Sequence, residues 1–265
     1  MSRRDAILRE MGLGPVWKLR QSAEIAAEAL VAEANVPAAA DPAPCALSAH
    51  ESAPLCMEAP ASAPVQAPAS ASAGDIANLD WDSLTETILA CRKCRLCQAR
   101  KQAVPGVGDR QADWLFVGEG PGAEEDERGE PFVGQAGKLL DAMLAAIDIK
   151  RGEDVYVANS VKCRPPNNRT PEPDETSACW PYLQRQIELI KPRLIVALGR
   201  PAAQTLLQSE IKISSARGLL HDYQGIPVIV TYHPAYLLRT PADKSKAWED
   251  LVLARRTMKR LKEGN

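Results

Sequence analysis

The sequence predicts an α/β fold, a short and mainly parallel sheet of four strands covered by helices on both faces. Three observations carry this. Apolar runs of strand length alternate with segments of helical periodicity from residue 76 to the end of the chain. The run at residues 193–198 is almost wholly apolar, as a strand buried on both faces requires. Three strand ends then deliver polar residues, Glu119, Asn159 and His233, to one rim, and open α/β sheets bind ligands at that rim.

Each element has its own reason. Residues 79–90 read as a helix and lead into Cys91-Arg92-Lys93-Cys94-Arg95-Leu96-Cys97. The first strand, at 113–117, ends in the glycine-punctuated acidic loop Gly118-Glu119-Gly120-Pro121-Gly122-Ala123-Glu124-Glu125-Asp126. A helix over 135–147 places Leu139, Leu140, Met143, Leu144 and Ile147 on one face, against the sheet. The second strand, 155–158, delivers Asn159, and the stiff basic loop Lys162-Cys163-Arg164-Pro165-Pro166 follows, with Arg169 beyond it. A helix starting within 170–174 carries Cys179 and runs to about 190. After the third strand come a short helix at 201–207 and a surface loop or edge strand at 214–220. The fourth strand, 226–232, ends in His233-Pro234-Ala235-Tyr236-Leu237-Leu238-Arg239. The last helix, 246–261, turns Trp248, Leu251, Val252 and Met258 inward.

Ahead of this domain, placed at 76–265, the composition changes. Residues 36–75 are dominated by Ala, Pro and Ser, which bury too little apolar surface to offset the entropy of ordering, so they read as a disordered linker. Residues 1–35 read as a partly helical leader, with helices at 5–11 and 23–34 around Trp17, suited to docking a protein partner. Cys45 and Cys56 fall in the linker and read as idle. Residues 1–75 carry five Lys or Arg against nine Asp or Glu, leaving 27 against 25 in the domain. That near-neutral body argues against indiscriminate coating of nucleic acid but permits a local basic groove. With no membrane-length apolar run and no secretory signal, the expectation is a cytoplasmic protein, in which seven cysteines serve better as ligands than as disulfide partners.

Four cysteines invite a metal: Cys91, Cys94, Cys163 and Cys179. Only the first two are closely spaced, so a bound metal would staple the helix before the sheet to the loop after its second strand, and this spacing favours an iron–sulfur cluster over zinc. Cys97 offers a competing ligand. At the rim, the Asn159 amide donates and accepts at once, as reading a pyrimidine edge requires, although it could also cap a turn. Phe132 is either core or a stacking platform. Arg164, Arg169 and Arg239 together could clamp phosphates.

The combination resembles the iron–sulfur uracil-DNA glycosylases, family 4. The matching pieces are Gly118–Gly122 with Glu125 and Asp126, Gly129-Glu130-Pro131-Phe132-Val133-Gly134, Asn159 ahead of Lys162–Pro166, and the His233–Arg239 segment, in unbroken order over about residues 85–262. The resemblance implies a three-layer α/β/α fold and hydrolysis of the bond joining uracil to deoxyribose in single- or double-stranded DNA, by a monomer. It implies a 4Fe-4S cluster on Cys91, Cys94, Cys163 and Cys179, with a structural role. Gly120, Pro121, Phe132 and Asn159 would bind the flipped base, and His233 would donate to uracil O2. Glu119 would stabilise the sugar cation or position water, with Glu125 as the alternative; another uracil glycosylase family places an aspartate where Gly120 stands, so that step cannot be copied across. Tyr236, Leu237 and Arg239 would probe the strand. A related class traps DNA on a histidine in a basic insertion after the second strand, and residues 164–174 have neither, so turnover is expected. The rival expectation is a metal-stapled module that binds DNA or a repair protein without catalysis.

Overall fold

The computed structural model describes residues 73–264, which lie within one compact unit. The leader helices, the Trp17 docking segment, the linker up to residue 72, Cys45 and Cys56 lie outside the described residues. The chain is already helical at α1 (Ala73–Ile76), inside the segment read as linker. Ile76 is the reason: it is fully buried beside Leu84 and Ile88 of α2 (Trp81–Ala90). Asp80 caps α2 by accepting from the Ser83 amide at 2.9 Å. The turn α3 (Leu96–Ala99) follows the first cysteine pair.

The sheet has six strands rather than four. Its parallel centre is as expected: β2 (Trp114–Gly118), β3 (Val155–Asn159), β4 (Leu194–Leu198) and β6 (Ile226–Thr231), in the order β3-β2-β4-β6. Two antiparallel strands are added at the edges, the two-residue β1 (Val107–Gly108) on β3 and β5 (Leu220–Tyr223) on β6. Both escape a periodicity reading for physical reasons. β1 is too short to show a period, and β5, with its His and Asp, is the half-exposed edge of a hairpin. Its turn is Gln224-Gly225, with φ of 52° and 86°, the left-handed pair that a tight hairpin needs. The segment read as a loop or edge strand at 214–220 instead opens with the helical turn α8 (Ile213–Ala216).

Alternation along the strands builds two cores. Trp114, Phe116, Val155, Val157, Leu194 and Val196 face one way, against Leu140, Met143 and Leu144 of α5 (Gln135–Ala145) and Leu251, Ala254 and Met258 of α10 (Lys244–Glu263). Leu115, Val117, Tyr156, Ala158, Ile195 and Ala197 face the other, against Leu183 and Ile187 of α6 (Pro173–Ile190) and Ala202, Ala203 and Leu206 of α7 (Arg200–Leu207). Trp248 does not turn inward; it is 46% exposed, because the inner stripe of α10 starts with Ala247 and Asp250. Asp250 accepts from the Thr231 hydroxyl at 2.9 Å and pairs with Arg217.

Register fixes where the site lies. Gly118 pairs with Asn159, and Leu198 with Thr231, so the carboxyl ends of all four parallel strands reach one rim. From β2 the chain steps to β3 on one side, and β4 and β6 lie on the other. The crevice at such a switch opens between the ends of β2 and β4.

Candidate active site and cysteine cavity

A cavity of about 660 Å³ occupies that crevice, and the expected strand-end residues Glu119, Asn159 and His233 all line it. Gly120, Pro121, Glu125, Phe132, Arg169, Tyr236 and Arg239 join them. Arg164 and Leu237 do not.

The floor depends on one missing side chain. A Cβ on Gly118 would stand 2.4 Å from Asn159 Oδ1 and 2.6 Å from Phe132 Cζ, so glycine is what lets the amide and the ring come together at the end of β2. Asn159 is buried, and its Oδ1 has no hydrogen-bond partner among the described residues. A buried amide oxygen left unpaired in a cavity is an acceptor waiting for a ligand donor. Phe132 is both a core residue and part of the cavity wall. It is 6% exposed and packs in the first core, yet one face borders the cavity, with the His233 ring 5.5 Å away at 29°.

His233 lies two residues past the end of β6 and caps the short helix α9 (Pro234–Arg239), its Nδ1 accepting from the Ala235 amide at 3.1 Å. An accepting Nδ1 puts the neutral ring's proton on Nε2. Burial, reinforced by the Arg239 cation and opposed by Glu125, lowers the imidazole pKa to about 4. His233 is therefore a neutral N–H donor near pH 7.

The two carboxylates separate in role. Burial raises the Glu119 pKa above the ordinary range, against the pull of the Thr170 hydrogen bond and the Arg200 cation. Glu119 thus faces the cavity as a desolvated carboxylate with few donors. Glu125 is occupied: Oε2 accepts from Gly122 N at 3.0 Å, and Oε1 from Val133 N and Gly134 N at 3.0 and 3.1 Å. It closes the amino end of α4 (Ala123–Arg128) and ties that end to the Phe132 loop.

One expected DNA contact, Leu237, is corrected, and two arginines have partners of their own. Leu237 is 1% exposed and belongs to the first core, because the inner side of α9 packs against α5; its neighbour Leu238 is the exposed one at 44%. Arg169 lines the cavity while making a bidentate pair with the buried Glu175, at 2.7 and 2.8 Å. That pair, with Glu172 N and Arg95, holds the Glu175 pKa at about 2. Arg164 turns back onto Asn168 Oδ1 at 2.8 Å. Tyr236 keeps its place on the cavity wall, stacked on Tyr232 at 5.1 Å with its hydroxyl donating to Asp243 at 2.6 Å. The sequence reading missed Arg200, which opens α7 and faces the cavity without an ion pair among the described residues, and also Thr170 and Asn168.

A second, small cavity gathers Cys91, Cys94, Cys97, Cys163 and Cys179 between α2, α3, the loop after β3 and α6. Arg100 Nη1 donates to Cys163 Sγ at 2.8 Å, and Lys162 N donates to Cys179 Sγ at 3.2 Å. Burial pushes the Cys163 thiol up to about 11 and the Cys179 thiol up to about 12, so neither would ionise at neutral pH without a cation to hold it. Among the described residues no group of three or more His, Cys, Asp or Glu is set to hold a single metal ion, whose tetrahedral thiolates would stand about 3.8 Å apart. A donor set of thiols only, ringed by basic groups and spread around a cavity, fits a multi-iron cluster. Cys97 lines the same space, so the fifth thiol remains a geometric competitor.

Fold and cavity together define an α/β protein with a strand-end cavity walled by an aromatic ring, a buried amide and an imidazole. The family model of the uracil DNA glycosylase superfamily matches residues 105–252. A type-4 uracil-DNA glycosylase from Archaeoglobus fulgidus is 49% identical over 168 residues, covering 60% of this chain and 84% of that protein. One from Thermotoga maritima is 45% identical over 185 residues, 68% of this chain and 95% of the relative. A type-5 enzyme from Thermus thermophilus is 34% identical over 160 residues, 49% and 73% of the two chains. The chain belongs to the type-4 uracil-DNA glycosylase family.

Proposed function

We propose that the protein excises uracil from DNA: it takes the flipped nucleotide into the strand-end cavity and hydrolyses the bond between uracil N1 and the sugar. Water supplies hydroxide to C1′ and a proton to the base, releasing free uracil and leaving an abasic site. The observation that carries this reading is Asn159, whose buried, unpartnered Oδ1 faces the cavity beside Phe132. That oxygen accepts from uracil N3–H while the amide nitrogen donates to O4; cytosine offers the reverse pattern and leaves both groups unpaired, which discriminates steeply. Phe132 stacks on the base.

Bond breaking moves negative charge onto the base and positive charge onto the sugar. The Nε2–H of neutral His233 donates to O2 as that charge grows, and a donor of this kind contributes about 3 kcal/mol to the transition state. Glu119, desolvated and charged, stabilises the cationic sugar and orients the water. Between the two carboxylates the geometry favours Glu119, because three backbone amides already occupy Glu125. Arg200 and Arg239 at the cavity edge take phosphates, with Arg164 and Arg169 on the adjoining loop.

Cys91, Cys94, Cys163 and Cys179 hold a 4Fe-4S cluster, which when bound staples the α2–α3 segment to the loop after β3. The domain from Ala73 onward is the catalytic part of a monomer acting on single- and double-stranded DNA, with residues 1–35 as a partner-docking leader on a tether that ends before it. No helix among the described residues is long and apolar enough to cross a membrane. Incubation with matched oligonucleotides carrying one uracil, cytosine or thymine tests the reading. Uracil alone should be released; bound but uncleaved DNA would favour the non-catalytic module.

A further inference from the structure

The Phe132 wall is held in a backbone conformation that its own sequence does not favour. Phe132 has φ of 55°, in the left-handed region that non-glycine residues rarely enter. Its carbonyl is pressed against the first turn of α5, where a Cβ on Gly137 would stand 1.8 Å from Phe132 O. Such a conformation persists only where the surroundings over-determine it. One such contributor comes from a turn that does not reach the cavity. Arg151, between α5 and β3, donates from Nη1 to Pro131 O at 2.8 Å and from Nη2 to Phe132 O at 3.0 Å. Its Nε donates to Asp141 Oδ1 at 2.9 Å, and that carboxylate on α5 fixes the plane of the fork. The guanidinium side chain is 22% exposed and absent from the cavity lining. On the other side of the same loop, the amides of Val133 and Gly134 point to Glu125. Two successive carbonyls therefore meet a cation while the next two amides meet an anion, which fixes the peptide orientations on both sides of the Phe132 ring.

We propose that Arg151 is a positioning residue for base binding, holding Phe132 as the stacking wall of the uracil pocket through its two backbone carbonyls. The inference rests on the uracil reading of the site. It is specific to a planar fork: a lysine keeps the charge but cannot reach both carbonyls in one plane. Arg151 touches no substrate, so its contribution passes entirely through Phe132.

A double-mutant cycle on the full chain tests this, with free uracil as competitive inhibitor and single-turnover cleavage as a second readout. Phe132→Ala should weaken free-uracil inhibition by about 10- to 100-fold, the range of one lost stacking contact. Arg151→Ala should weaken it about tenfold and raise KM more than it lowers kcat, and Arg151→Lys should resemble Arg151→Ala. In the Phe132→Ala background, Arg151→Ala should add nothing further. Amide hydrogen exchange at Val133 and Gly134 in DNA-free protein should quicken in both Arg151 variants while amides of β2 and β4 stay protected. This readout covers the case in which Arg151→Ala folds poorly, since Arg151→Lys retains the charge. Additive losses in the cycle, a Lys variant equal to native, or unchanged loop exchange would each overturn the role of Arg151 while leaving uracil release intact. A native protein that releases no uracil would instead overturn the site reading and this inference with it.

Discussion

Lowering the pH from 7.5 to 5.5 should leave His233 uncharged, although an ordinary imidazole titrates in that interval. Burial and the Arg239 cation put its pKa at about 4. At pH 5.5 it should then be only about 3% protonated, whereas a free imidazole with pKa about 6.5 would be about 90% protonated. Two-bond proton–nitrogen correlation spectra report both quantities needed, the charge and the tautomer. The His233 signals should keep the pattern of a ring protonated at Nε2 down to pH 5.5, because Nδ1 accepts from the Ala235 amide. The same shift is a stability effect. Below about pH 6.5 the unfolded chain binds a proton that the native state refuses, so stability falls on acidification through the window between about 6.5 and 4. For one such group the loss is at most about 1.3 kcal/mol between pH 7.5 and 5.5. It should be absent from His233→Gln, compared by urea unfolding at the two pH values. A His233 that titrates near 6.5, or that carries its proton on Nδ1, would refute the reasoning and remove the neutral donor from the site.

Burial also raises Glu119, so the acid limb of the single-turnover rate should lie above the ordinary carboxylate range; Glu119→Gln should be slower by about 10²-fold and lack that limb. An unchanged limb in the variant would assign it elsewhere. Cys163→Ser or Cys179→Ser should lose iron and broad visible absorbance on anaerobic purification, while Cys97→Ser keeps both; iron and sulfide assays decide which four of the five thiols are ligands. Leu237→Ala should cost about 2–5 kcal/mol of stability as a core truncation. Leu238→Ala should stay within about 0.5 kcal/mol of native yet slow release from duplex more than from single strands. The reverse ordering would return Leu237 to the DNA face.

The parallel strands were legible because each is a continuous apolar run closed by Gly, Asn or a polar residue, and their ends pointed to the right rim. The edge strands were not, since β5 earns its place from hairpin geometry and pairing with β6 rather than from composition. Trp248 was misplaced because hydrophobicity alone cannot see that α10 begins its inner face with Ala247 and a buried, hydrogen-bonded Asp250. Leu237 and Leu238 are adjacent, and a six-residue helix is too short to reveal its phase. Spacing pointed to cysteines as ligands without choosing among five, and the basic shell was not legible, because Arg100 meets Cys163 across 63 residues. Arg200 carries no motif of its own; it matters through Glu119, just past the end of a neighbouring strand. One missed signal was present all along: Glu125 follows Gly122 by three residues at a helix start, the spacing of a capping carboxylate.

The most direct test of the account is single-turnover uracil release from one uracil-containing oligonucleotide by native protein, Glu119→Ala and His233→Ala. Native protein should release free uracil, and each variant should be slower by about 10²-fold or more while keeping its cluster absorbance and its affinity for DNA. Equal rates in all three proteins would contradict the strand-end site as the seat of the chemistry.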